Sequence, residues 1–297
     1  MATIKNLAFK GGGVLGIAYA GAIKVLETNN ILPQIEKVAG TSAGAITATL
    51  VSLNYTADEI QSIVNSTSFS TFEDDKSILR IPFKYGLYAG DALLAWVKSN
   101  IAKKGLSENA TFRDFYNFTD GQNQKTKDLY VFASDLNLQS LKVFSFATTP
   151  DVIVAEAVRA SMSIPMFFEA WKFSNNAPDD HIYVDGGLIY NYPITHFDTG
   201  GEPNPDTLGF YLANLQAIPK PNDLSFDKLL NYVKITFETS LDAQSVLVLN
   251  DPEQVKRSVF IDDLGISGTN FNLTKDQEDA LYQSGLNATQ AYLAKMT

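Results

Sequence analysis

Twice before residue 55 the chain runs a short apolar strand into a glycine-bearing turn and then into a helix. That order points to a parallel sheet with crossover helices, because parallel neighbours cannot be joined by a tight hairpin. Ile4 to Phe9 is the first strand and Gly11 to Gly13 end it; Ile17, Ala20, Gly21, Ile23, Lys24 and Leu26 then follow helical spacing. Ile35 to Ala39 is the second strand. From Ala43 the run Ala45, Ile46, Ala48, Thr49, Leu50 and Leu53 reads as a helix buried on most sides.

The later segments extend the pattern. Residues 66–88 read as a loop, and Asp91 opens a helix through Leu93, Leu94, Val97 and Ile101. Leu129 to Ser134 and Leu141 to Phe146 form a hairpin, and a helix from Val152 to about Ser161 stops ahead of Pro165. His181 to Asp185 is a strand running into Gly186-Gly187, and Thr207 to Ala213 is another strand. Phe226, Leu229, Leu230, Val233, Phe237 and Leu241 share one helix face, Ser258 to Ile261 is an edge strand, and Thr274 to Gln277 resembles a capping box for a last helix. The 297 residues are expected to form one domain, a core over 4–215 with a C-terminal helical extension over 216–297.

Composition removes several classes of function. A net charge of −10 opposes nucleic-acid binding, which needs a surface that neutralises phosphates. The absence of cysteine excludes a thiolate nucleophile, a disulfide framework and a Cys-based zinc site. The uncharged stretch Val38 to Ala57 is long enough to span a bilayer, but its serines, threonines and glycines suit a buried strand, turn and helix better. The N-terminal residues lack the basic and apolar regions of a signal peptide, so a cytoplasmic place or one at a membrane surface is expected, with a signal-less export route left open. Six basic residues against the single acid Asp91 over 76–104 are either a solvated face or a flank that rests on anionic headgroups.

Gly40-Thr41-Ser42-Ala43-Gly44, set between strand and helix, is a turn that can project a nucleophilic serine, with Gly40 and Gly44 as its small flanks. The competing reading is a small residue in a tight turn. A serine needs a base for its proton and donors for the oxyanion that forms. The amides of Gly11, Gly12, Gly13 and Val14 at a helix start could be those donors. Gly11-x-Gly13-x-x-Gly16 also fits a dinucleotide fingerprint, but the acid expected after the second strand is replaced by Ala39-Gly40-Thr41-Ser42. Of the two histidines, His181 lies about 13 Å along a strand from Asp185, too far for a relay. His196 keeps the Ser, Asp, His order of α/β-hydrolases and stays open as a base. Asp185 could serve directly if burial raised its pKa.

These motifs together resemble those of the patatin-like phospholipases: Gly11 to Gly16, Gly40 to Gly44, Ala160-Ser161-Met162-Ser163-Ile164-Pro165 and Asp185-Gly186-Gly187, in that order. Further similar stretches are Gly86-Leu87-Tyr88 with Gly90-Asp91, Ala133 to Asn137, and Ala155 to Arg159. The likeness covers nearly all of 4–215, and the tail from Asn270 is similar to one bacterial and viral branch. It implies a three-layer α/β/α fold with a mostly parallel central sheet. It also implies a Ser42–Asp185 dyad without a catalytic histidine, an acyl-serine intermediate, no cofactor or metal, and a lipid or phospholipid substrate with peripheral membrane contact. The alternatives are an α/β-hydrolase-type esterase using His196 and an inactive lipid-binding or interaction protein. The family commonly carries Lys or Arg where this chain has Leu15, and an acid or small residue where it has Lys10. Met162, Ile164, Met166, Phe167, Phe168 and Trp171 are either an acyl channel or ordinary core.

Overall fold

The computed structural model describes residues 3–173, 178–214 and 229–296. In chain order the elements are β1 (Asn6–Phe9), α1 (Ile17–Thr28), β2 (Lys37–Thr41), α2 (Ala43–Ser52), α3 (Ala57–Ser66), α4 (Ile81–Lys84), β3 (Gly86–Tyr88), α5 (Asp91–Lys103) and α6 (Phe112–Asn117). There follow β4 (Asp128–Asp135), β5 (Ser140–Phe144), α7 (Val154–Ser161), β6 (Met166–Phe168), β7 (Tyr183–Asp185), α8 (Gly187–Tyr190), β8 (Thr207–Ala213), α9 (Leu229–Leu249), α10 (Pro252–Lys256), β9 (Ser258–Asp262) and α11 (Lys275–Met296). Among the described residues no helix is long and apolar enough to cross a membrane.

The main sheet runs β5-β4-β2-β1-β8-β9, and β7 also pairs with β4. The pairings β1–β2, β1–β8, β2–β4 and β8–β9 are parallel; β5 and β7 run antiparallel to β4. β3 and β6 form a separate parallel pair. Side chains alternate across the sheet as the pleat requires. Leu7, Phe9, Val38, Val131 and Phe210 join the large core with residues of α1, α2, α7 and α11. On the opposite face Ala8 and Tyr211 pack with Tyr192, Ile194 and Val248, while Ala39 and Phe132 meet Phe197. Helices therefore flank a mostly parallel sheet, and its central strands are apolar on both faces.

The second strand lies two residues further along than the periodicity suggests and so runs directly into Ser42. The expected loop over 66–88 contains α4 and β3. The hairpin at Asp135 is present, its turn held by Asp135 Oδ1, which accepts from the amides of Asn137 and Leu138. The capping box at Thr274 is present too, with Thr274 N donating to Gln277 Oε1 and Gln277 N to Thr274 Oγ1. The edge strand becomes β9, so the C-terminal part of the chain adds a strand to the sheet as well as helices. Of the expected helix face, Val233, Phe237 and Leu241 lie on α9, whereas Phe226 lies outside the described residues.

Candidate active site

Ser42 occupies the single residue between β2 and α2, with φ 54° and ψ −125°. A side chain other than glycine rarely takes this conformation, and such strain is concentrated at functional turns. The flanking glycines are sterically required. A Cβ on Gly40 would lie 2.0 Å from Gly44 O, and one on Gly44 would lie 2.2 Å from Phe9 O. The Ser42 amide donates to Ser161 Oγ at 2.8 Å, and Ser161 in turn donates to Phe132 O, so the turn is tied to β4 and the end of α7.

Sheet register brings Asp185 to this turn. Val131 and Phe132 pair with β2 and also with β5, so those strands occupy opposite edges of β4. Ala133 to Asp135 pair with β5 and β7, which puts β7 on the β2 edge. The two strands meet end to end there, with Thr41 opposite Phe132 and Asp185 opposite Ala133. The backbone of Asp185 is clamped: its amide donates to Ser163 O, and its carbonyl accepts from Ser134 Oγ. Oδ1 accepts from the Gly187 amide at 2.7 Å. Oδ2 is buried without a hydrogen-bond partner among the described residues. Burial raises the carboxyl pKa to about 7, against the pull of the Ser42 hydroxyl and the Gly187 amide. The serine hydroxyl is therefore within electrostatic reach of the carboxylate, though short of a well-formed hydrogen bond.

The glycine turn is more selective than its four amides suggest. Gly11 N donates to Asn191 O, and Val14 N donates to Gly268 O. The amides of Gly12 and Gly13 make no hydrogen bond among the described residues. Gly13 has φ +57°, and a Cβ there would meet Gly268 O at 1.9 Å, so the segment after β9 closes directly over the turn. Asn191 is buried, its Nδ2 has no partner among the described residues, and its Oδ1 lies 2.3 Å from where a Gly11 Cβ would stand. An unpartnered buried amide is costly enough to call for a role.

Ser42, Asp185, Asn191 and the Gly11–Gly13 turn line a cavity of about 550 Å³. One wall is apolar, built from Leu15, Leu87, Ile164, Met166, Phe167 and Phe237. Met166 is held at φ 65°. Another wall carries Lys10, Asp242 and Asp263. The Lys10 amine stands 4.8 Å from the Tyr211 ring centre, and burial lowers its pKa to about 8 despite the neighbouring Asp263 and Asp242 carboxylates. Of the six residues considered for an acyl channel, Ile164, Met166 and Phe167 reach the cavity. Met162 and Phe168 are core, and Trp171 packs against Phe173 and Arg159.

Neither histidine lines the cavity. His196 is packed against Tyr130, Phe132 and Phe197, and burial lowers its pKa to about 4. The geometry gives the His196 alternative no support. His181 Nδ1 lies 2.7 Å from Asp135 Oδ2, and with Asp179 these form a group of metal-ligand type. Their atoms are already engaged with Tyr183, Lys142 and backbone amides, away from the cavity.

Three contributors escaped the sequence. Asn191 follows Asp185-Gly186-Gly187 closely enough to have been suspected as part of that turn. Gly268 and Gln244 carry no local signal; Gln244 accepts from Asn191 N and donates to Gly187 O, fastening the Asp185 turn to α9. The Ser161–Ser163 stretch was singled out without a role. It joins Ser42 to Asp185 through Ser161 Oγ and Ser163 O.

The chain resembles known proteins over most of its length. The family model described as patatin-like phospholipase matches residues 7–198. An uncharacterized protein of Acanthamoeba polyphaga mimivirus is 30% identical over 99% of this chain and 95% of its own. YqhO of Bacillus subtilis is 32% identical over 97% of this chain and 98% of its own. A probable lipid hydrolase of Invertebrate iridescent virus 6 is 28% identical over 64% of this chain and 62% of its own. Among solved structures, VipD from Legionella pneumophila superposes with a TM-score of 0.67 at 16% identity, covering 99% of this chain and 67% of that one.

Proposed function

Since the chain belongs to the patatin-like phospholipase family, we propose that it is a lipid acyl hydrolase of phospholipase A or lysophospholipase type, acting through a Ser42–Asp185 dyad. The observation that carries this reading is the strained Ser42 turn set end to end with a buried Asp185 whose Oδ2 has no partner.

Ser42 Oγ attacks the ester carbonyl while its proton passes to Asp185, a base whose pKa near 7 suits neutral pH. The oxyanion is received by the free amides of Gly12 and Gly13, with Asn191 Nδ2 as a third donor. Gly11 and Val14, whose amides donate to Asn191 O and Gly268 O, shape the turn without donating to the oxyanion. Asp185 returns the proton to the leaving alcohol, leaving an acyl-serine. Water then attacks the acyl carbon, its proton passes through Asp185 back to Ser42, and the fatty acid departs. The acyl chain lies along Ile164, Met166 and Phe167, and Lys10 supplies the cation that Leu15 does not, placed for the polar end of the lipid.

Mass-spectrometric product analysis on a mixed lipid extract tests the reading. Wild type should release fatty acid, and Ser42→Ala and Asp185→Ala should each lower the rate about 10³-fold or more. Unchanged release from both variants would show the dyad to be wrong.

A further inference from the structure

Between α3 and β3 the chain displays four large apolar side chains to solvent: Ile78 is 70% exposed, Leu79 83%, Phe83 80% and Tyr85 51%. They lie within eight consecutive residues, on the turn Ile78–Arg80, on α4 and at Tyr85 just after it. Scattered exposed hydrophobics need no explanation, but a contiguous set on one short segment does.

The scaffold beneath them is fixed. Arg80 is only 17% exposed and pairs with Asp75 and Glu169. Ser77 N donates to Leu87 O and Ala170 N to Lys84 O. Asp74 accepts from the amides of Gly90 and Ala92. The apolar side chains are thus presented outward by a segment bonded at both ends.

We propose that Ile78, Leu79, Phe83 and Tyr85 form a wedge that inserts into the surface of a lipid bilayer and brings the cavity mouth against it. This rests on the lipid-hydrolase reading, which supplies the reason for a bilayer as the occupant. Position supports it: β3 pairs with β6, Gly86 opposite Met166, and Leu87, Met166 and Phe167 line the cavity that holds Ser42. A lipid leaving the bilayer beside the wedge would meet apolar side chains on its way to the serine. The rim chemistry suits a membrane interface as well. Lys84 is exposed and Lys76 flanks the set, and lysines together with a tyrosine ring are the groups that settle at headgroup depth.

This differs from a flank held by charge alone. Of the basic residues over 76–104, Arg80 and Lys84 both pair with Glu169, Lys76 lies over the Tyr88 ring, Lys104 bonds to Glu59 and lies over Tyr55, and Lys103 bonds to Asn100. Apolar insertion, with Lys76 and Lys84 as accessories, is the mode that the surface offers.

The test compares wild type with Leu79→Ser/Phe83→Ser and with Lys76→Glu/Lys84→Glu, each also carrying Ser42→Ala for sedimentation with phosphatidylcholine vesicles. The apolar double variant should lose vesicle binding at least about tenfold, since it removes two large side chains from the apolar interior they would enter, and the charge variant should lose much less. With Ser42 restored, the apolar variant should hydrolyse a short-chain soluble ester at the wild-type rate while its rate on vesicles falls in step with binding. Vesicle binding unchanged in the apolar variant would overturn the proposal, as would a wild-type dimer that this variant disperses without any effect on vesicles. Binding through Leu79 and Phe83 by a protein that cleaves neither substrate would uphold the wedge and count against the hydrolase reading alone.

Discussion

A buried carboxyl with one oxygen unpartnered costs folding free energy in an amount that depends on pH. In the folded chain the Asp185 pKa stands near 7, against the ordinary value of 3.8, because burial disfavours the charge. A folded-state pKa raised in this way stabilises the fold most below the unfolded value, and that contribution is lost as pH rises through about 7. Above that pH the charged form should weigh on stability by up to about 4 kcal/mol. Asp185→Asn keeps an acceptor for the Gly187 amide and removes the charge. It should abolish turnover yet raise the melting temperature at pH 8, with little difference from wild type at pH 4; calorimetry at the two values reads the sign. With Asp185 as the proposed base, the rate on a soluble ester should climb with pH and reach half its maximum near 7, the point at which half of Asp185 is charged. Asn191 gives a separate prediction. Asn191→Ala removes the unpartnered Nδ2 while keeping the backbone carbonyl that holds Gly11, so kcat should fall about 10- to 10³-fold with KM little changed. Steady-state kinetics on a soluble ester measure both constants, and an equal rise in KM would mark Asn191 as a binding group instead.

Among the elements, α11 shows how far from the serine the site is built. It crosses α1 at two glycines: a Cβ on Gly21 would lie 2.0 Å from Tyr282 O, and one on Gly285 would lie 1.8 Å from Ala18 O. Between β9 and α11 runs the segment whose Gly268 O receives the Val14 amide, and Ser284 Oγ ties α11 back to Asp262 O. Gly285→Val must therefore push α11 off α1 and pull on the cover of the oxyanion turn. Overpacking of this kind costs about 1–3 kcal/mol, so thermal unfolding should shift down by several degrees and kcat on a soluble ester should drop, whereas Gly121→Ala, which has open space around it, should change neither. The sequence anticipated much of the strand and helix order because those signals are local: apolar runs for β1, β2 and β8, and a box of side chains for the start of α11. Ser42, Asp185 and the glycines around them were legible for the same reason, each lying at the end of a strand inside a short motif. What could not be read was anything set by register or by distant packing. That β2 and β7 share one edge of β4, that Gly268 engages Val14, and that Gln244 holds the Asp185 turn all depend on residues about 50 or more positions apart in the chain. Engaged amides are also invisible in a motif: those of Gly11 and Val14 are bonded to Asn191 O and Gly268 O.

For the molecule as a whole, 33 acidic residues against 23 basic ones mean that the long-range field repels an anionic membrane. A protein held to lipid by basic residues loses its grip as salt screens the attraction, whereas apolar insertion is indifferent to screening and is strengthened by salts excluded from the surface. The two modes therefore predict opposite salt dependences. If the wedge at Ile78, Leu79, Phe83 and Tyr85 carries the contact, sedimentation with phosphatidylcholine vesicles should hold steady as sodium chloride rises from about 0.05 M to about 0.5 M, a range over which the screening length shrinks from about 14 Å to about 4 Å. With vesicles that include an anionic lipid, binding should increase over the same range, because salt relieves the repulsion between the membrane and the acidic body of the protein. A tenfold fall on either vesicle would assign the contact to Lys76, Lys84 and their neighbours. The direction of that slope separates a surface that is drawn to charge from one that opens its catalytic cavity beside an apolar anchor.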